Sequence, residues 1–160
     1  MNKIAGFIFF VCLFSIVSCS DSPEPFVINF SDSEKPELIS MEGISVQESW
    51  GQWTDSKLVK LKFKKSLPKN FRVDLKMNPS FASVVGQQIV CLSGGIAKSF
   101  MATDKVQVAQ VEFNDIPSET KELIINIPEP KSPKELGLSS DERHLGLALV
   151  ELTITPTQQK

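Results

Sequence analysis

Residues 57–64 read KLVKLKFK, and residues 71–78 read FRVDLKMN. In the first, Val59, Leu61 and Phe63 share one face and Lys60, Lys62 and Lys64 the other. In the second, Phe71, Val73, Leu75 and Met77 oppose Arg72, Asp74 and Lys76. A strict period of two puts every apolar side chain on one side of an extended backbone, which is the pattern of a half-buried strand. Such strands must cover their apolar faces against a second layer, so this pattern sets the fold class more than any other feature. Residues 65–70, KSLPKN, have the length of a hairpin loop, with Pro68 where no ladder donor is needed.

Further strands are predicted at 26–30, 87–93, 96–101, 105–113, 122–127 and 145–155. Two of them change face partway. Val106 and Val108 are out of phase with Val111 and Phe113, and Leu145, Leu147 and Leu149 with Leu152 and Ile154. A β-bulge is the usual cause, since one extra residue exchanges the faces. Gly94-Gly95 reads as a tight hairpin turn. No window of ten or more residues beyond the N-terminal apolar run has helical period. About eight or nine short strands separated by turn signals predict an all-β, antiparallel β-sandwich, of which the jelly roll is one form.

The chain opens with a different signal. Lys3 precedes an apolar run over residues 4–17, too short to span a bilayer, which takes about 20 residues, but suited to the apolar part of an export signal. It ends in IVSCS, with the small Ser18 directly before Cys19. That arrangement resembles the lipobox of bacterial lipoproteins, in which the cysteine thiol receives a diacylglycerol and becomes the new N-terminus. The expected organisation is therefore a signal peptide at 1–18, lipidation at Cys19, a polar tether at 19–25, a β-sandwich at 26–156 and a frayed tail at 157–160. Ser20, rather than an aspartate, after the cysteine leans toward the outer membrane, with the domain facing the periplasm.

Removing residues 1–18 leaves 142, enough for one domain with a real core. It also removes Lys3, so 16 Lys and Arg stand against 19 Asp and Glu, a net charge of −3. No basic stripe marks a nucleic-acid partner. Beyond the signal only Cys19 and Cys91 remain, so a lipidated Cys19 leaves Cys91 without a disulfide partner.

Two stretches carry candidate sites. In 48–55, ESWGQWTD, Trp50 and Trp53 flank Gly51. Indole faces stack on the C–H faces of sugars, but large aromatics also bury at sandwich edges. In 132–147, SPKELGLSSDERHLGL, Ser132-Pro133 opens a turn, Leu136 and Leu138 around Gly137 are expected to pin the loop to the core, and Asp141 and Arg143 are close enough to pair. This loop reads either as a polar cradle for a saccharide or phosphate, with Arg143 as forked donor, or as a connection held down by its own side chains. The candidate ligand-binding residues are Trp50, Trp53, Asp141 and Arg143, and Pro133, Gly137 and Gly146 are the loop-shaping ones.

GISVQESWGQWTD, LPKNFRVDLKM and IPEPKSPKELGLSSDERHLGLAL resemble the C-terminal β-sandwich domain of bacterial membrane phosphoglycerol transferases, enzymes of periplasmic glucan decoration. The resemblance spans about 28–155. The matching positions are Trp50, Gly51, Trp53, Ser132, Pro133, Gly137, Asp141, Arg143, Leu145 and Gly146. Gln52 stands where that family has arginine, which is expected to remove a cation from a binding edge. The transferase catalytic domain has no counterpart here, so the resemblance implies a fold and a glycan-related setting rather than phosphoglycerol transfer.

Enzyme signatures are sparse. His144 is the single histidine, and neither a Gly-x-Ser-x-Gly elbow nor His-Glu-x-x-His occurs. Cys91, inside IVCLS, reads as a buried hydrophobe, which disfavours a Cys91–His144 dyad. The expectation is a non-catalytic envelope lipoprotein without a cofactor or metal. It would bind the membrane through its lipid, and its sandwich would meet either a periplasmic glycan or an envelope enzyme on which it docks.

Overall fold

The two alternating segments seen in the sequence form interior strands of two different sheets. A computed structural model describes residues 24–158. The export signal at 1–18, Cys19 with the tether up to Pro23, and Gln159 and Lys160 lie outside the described residues. Ten strands run in chain order: β1 Phe26–Asn29, β2 Leu38–Glu42, β3 Gln52–Trp53, β4 Leu58–Phe63, β5 Phe71–Asn78, β6 Gln88–Ser93, β7 Ile96–Met101, β8 Gln107–Phe113, β9 Glu122–Asn126 and β10 Ala148–Pro156. Among the described residues a single 3-10 turn, Ala82–Val84, interrupts them.

One sheet has the order β1-β10-β5-β8, with β3 also paired to β10. The other has the order β2-β4-β9-β6-β7. Every pairing is antiparallel. The predicted β-sandwich is therefore the observed architecture. β4 and β5 bury the residues their alternation assigns to the core: Val59, Leu61 and Phe63 from one sheet, and Phe71, Val73, Leu75 and Met77 from the other. Phe71 and Phe113 stack at 5.0 Å between ring centres.

Several expectations need correction. Residues 65–70 do not close a hairpin, because β4 and β5 belong to opposite sheets; the segment carries the chain across the sandwich, with Leu67 buried on the way. The face change at 105–113 is not a bulge. β8 pairs with β5 without interruption from Gln107↔Met77 to Phe113↔Phe71. Its inward residues are Ala109, Val111 and Phe113, while Val106 and Val108 are 67% and 56% exposed. The small Ala109 holds an inward place that a hydrophobic count overlooks. The second face change is a true irregularity: the β10–β5 register shifts between Leu149 and Glu151. The Val150 carbonyl displaced there accepts the Phe30 amide at 2.9 Å.

The Gly94-Gly95 turn joins β6 and β7 directly, with Ser93 opposite Ile96 and both glycines at positive φ, the backbone a two-residue hairpin demands. Cys91 points inward from β6 and is buried, and burial pushes its thiol up to about 12. A thiol that is neither exposed nor ionised does not attack electrophiles at neutral pH. Native protein is thus expected to resist maleimide and to label fully once unfolded in urea. Fast native labelling, read by intact mass, would show that the strand opens or that the burial is wrong.

Candidate functional site

Trp50 and Trp53 are placed by a turn and a two-residue strand. Glu48 and Gly51 exchange backbone hydrogen bonds at 2.8 and 3.2 Å, which puts Ser49 and Trp50 at the tip of a tight turn. β3 follows at once and pairs with the start of β10, Gln52 opposite Leu149 and Trp53 opposite Ala148. The next strand across sets Met77 beside Leu149 and Asn78 beside Ala148. Gln52 therefore lies in register with the buried Leu149 and Met77, on the inward side, and Trp53 with the outward row.

The two indoles are half-buried and meet edge to face, 5.5 Å apart at 78°. Phe81 extends the row, edge to face with Trp53 at 6.3 Å. Its amide donates to the Gly146 carbonyl at 2.8 Å. The Trp50 Nε1–H donates to Glu48 Oε2 at 2.9 Å.

The loop from Ser132 to His144 is ordered by its own polar groups. Ser132 Oγ accepts the Glu135 amide at 3.1 Å, and Glu135 Oε2 accepts the Ser132 amide at 3.0 Å. This reciprocal pair is a capping box, here closing a turn instead of a helix. The Leu138 amide reaches back to the Pro133 carbonyl at 2.8 Å, and Gly137 between them has φ +69°, a conformation glycine adopts without strain. Lys134 donates its amide to the Asp141 carbonyl at 2.9 Å. Asp141 Oδ1 accepts the Arg143 amide at 3.0 Å, and its carboxylate takes Nε and Nη2 of the same arginine, the shortest contact being 2.7 Å.

Leu136 and Leu138 do not pin this loop. They are 39% and 65% exposed, whereas Ser132, Pro133 and Leu145 are buried and anchor its two ends. Between those anchors a capping box and an Asx turn hold the chain, which leaves the leucines free.

The two stretches form one assembly. Glu48, which the sequence did not single out, joins them: one carboxylate oxygen takes the Trp50 indole, and the other lies 3.5 Å from Arg143 Nη1. Asp55 Oδ1 accepts the His144 amide at 2.8 Å. Thr54 is fully buried and tied to the 146–147 backbone three times. Its carbonyl accepts from Gly146 N at 3.2 Å, its amide donates to Leu147 O at 2.9 Å, and its Oγ1 accepts from Leu147 N at 2.8 Å. A Cβ at Gly146 would stand 2.6 Å from that Oγ1, so glycine is what lets the strands approach.

The electrostatics are those of a satisfied ion pair. Hydrogen bonds from the Arg143 side chain and then its backbone hold Asp141 below the ordinary aspartate range, and the same side-chain bonds raise Arg143. With two carboxylates on one guanidinium, the fork is already occupied. The phosphate cradle considered from the sequence has no free cation among these residues, whereas the half-exposed indoles and carboxylate oxygens still offer stacking and hydrogen-bond acceptors.

Gln52 also differs from expectation. It is buried and donates Nε2–H to the Ser45 carbonyl at 2.9 Å. Its Oε1 is the one buried side-chain polar atom without a partner among the described residues. Glutamine at this position therefore does not subtract a cation from a surface edge; it occupies the inward side.

Phosphoglycerol transferase I from Escherichia coli is 28% identical to this chain over 135 residues, covering 82% of this chain and 17% of that protein. The homologous enzyme from Shigella boydii matches to the same extent. The chain thus spans about a sixth of the length of these curated relatives, and the resemblance read from the sequence is to a domain-sized part of them.

Among solved structures, the CBM36-1 domain of a multidomain xylanase from the hindgut metagenome of Trinervitermes trinervoides aligns with TM-score 0.46 and 8% identity, covering 85% of this chain and 100% of that one. A family 35 carbohydrate binding module from Clostridium thermocellum aligns with TM-score 0.42 and 7% identity, covering 84% and 100%. A family model matches residues 22–156, the whole of the sandwich, and by that match the chain belongs to the family described as Domain of unknown function (DUF7024).

Proposed function

We propose that this protein is a non-catalytic module of the bacterial envelope, anchored by a lipid on Cys19 at the outer membrane and facing the periplasm, that binds a glycan at the Trp50/Trp53 assembly. The observation that carries the reading is the partly exposed indole pair fixed beside the Glu48 and Asp141 carboxylates, which the Arg143 guanidinium joins. An indole face supplies apolar contact to a pyranose ring, and rigid carboxylates accept its hydroxyl protons. The edge-to-face geometry presents one indole plane at a time, which suits one sugar ring and not a flat run of several. Similarity to phosphoglycerol transferase I supports a glycan-related setting, and the sequence IVSCS supports the anchor.

Titration of residues 20–160 with oligosaccharides, followed by tryptophan emission, tests this reading. Trp50→Ala and Trp53→Ala should each weaken saccharide binding about tenfold, the cost of about 1–1.5 kcal/mol of lost aromatic contact, while Trp→Phe should lose less. Equal affinity in wild type and both alanine variants removes the indoles from the site.

Docking on an envelope enzyme is the second reading. The exposed Leu136 and Leu138 on the same loop favour it. Loss of partner binding in a Leu136→Ser, Leu138→Ser double variant, with saccharide binding absent in the wild type, would favour it over the first.

A further inference from the structure

The sandwich has two ends, set by strand register. At one lie Phe26 of β1, opposite Ile154, and Phe71 of β5, opposite Pro156. At the other lie Asn78, Ala148 and Trp53. β5 has eight residues, and seven steps of strand separate these ends by about 23 Å. The described chain enters at the first end, through Glu24 and Pro25. Trp50, Glu48, Arg143 and Phe81 gather at the second. Five peptide steps connect Cys19 to Glu24, a reach of at most about 18 Å.

Neither sheet surface has the charge to lie flat on an anionic lipid layer. On one, Arg72 and Lys76 alternate with Asp74 along β5; on the other, Lys60 and Lys62 stand in register with Glu42 and Glu122. The net charge beyond the signal, −3 from 16 basic and 19 acidic residues, repels such a layer.

We infer that the aromatic site is held at the membrane-distal end of the sandwich and takes a saccharide presented from the aqueous side, free or on a polymer, and not the sugar headgroup of a lipid in the leaflet that carries the protein. This rests on the glycan reading and on the Cys19 anchor. The two sources share the same chemistry, a pyranose against an indole, and differ only in where the sugar is borne.

The chain contains two tryptophans and no tyrosine, so its intrinsic emission reports this site alone. Full-length acylated protein is reconstituted in vesicles of phosphatidylcholine and phosphatidylglycerol, with and without brominated acyl chains. The expected result is equal emission in both, with strong quenching by aqueous acrylamide. Quenching by the brominated lipid overturns the proposal, because it places the indoles at the bilayer. Unacylated protein of residues 20–160, which lacks both the lipid and the apolar 4–17 run, should fail to float with the vesicles; if it floats, another surface holds the domain down and the proposed orientation is wrong. The oligosaccharide titration reads separately: emission that responds to no saccharide in solution, beside unquenched tryptophans on brominated vesicles, rejects the ligand and leaves the orientation standing.

Discussion

Replacing Gly51 by alanine is expected to destabilise the protein by about 3 kcal/mol or more, the upper range for backbone strain compounded by a steric overlap. Gly51 has φ +148°, outside the range side chains readily adopt. A Cβ built there would land on the Leu149 carbonyl oxygen, a backbone atom of β10 that no rotamer change can move aside. Relief requires β3 to part from β10 and would take Trp50 and Trp53 with it. Urea unfolding followed by circular dichroism measures the loss, and a change of less than about 0.5 kcal/mol, the size of an ordinary surface substitution, would refute the close approach. Retained stability with altered tryptophan emission would mean that the turn had rebuilt itself in another conformation.

Thr54→Val should cost about 1–3 kcal/mol, the penalty for burying a donor without an acceptor. Valine matches the shape of threonine and leaves the core filled, but it removes the oxygen that accepts the Leu147 amide at 2.8 Å. The backbone bonds of Thr54 to Gly146 and Leu147 remain, so the loss isolates one hydroxyl. Thr54→Ser keeps that oxygen and loses only a methyl group, and it should be clearly more stable than the valine variant in the same melt. Should valine prove the more stable of the two, packing of the methyl group outweighs the hydrogen bond of the hydroxyl.

The parts of this fold that the sequence displays are those where burial alternates over several residues. β4 and β5 are long and regular, and their apolar faces are the core. β2 escapes the same reading because its register slips between Leu38 and Ser40, so its inward residues, Leu38 and Met41, stand three apart and break the period of two. β3 is two residues long, shorter than one period of any pattern. The supposed bulge at 105–113 fails for the opposite reason: exposed valines imitate core residues, and Ala109 conceals one.

At the candidate site, the sequence offers the end points but not the link. Trp50, Trp53, Asp141 and Arg143 stand out by residue type. Glu48 and Thr54 do not, since their roles depend on the pairing of β3 with β10, and neighbours created by tertiary folding leave no local signal. Adjacency to the tryptophans was the one available hint for Glu48.

The pairing of β1 with β10 has a consequence for timing. The first described strand finds its partner, Phe26 opposite Ile154, only when the last one is present. β10 also supplies the seam for β3 and β5. During synthesis, then, nearly the whole chain must leave the ribosome before this sheet can close, and the contacts formed last are the most distant in sequence. Folds wired in this way are slow, because loop closure must precede any gain from the sheet. For the exported lipoprotein proposed above, such delay is useful: the polypeptide stays threadable until its C-terminal strand arrives on the far side.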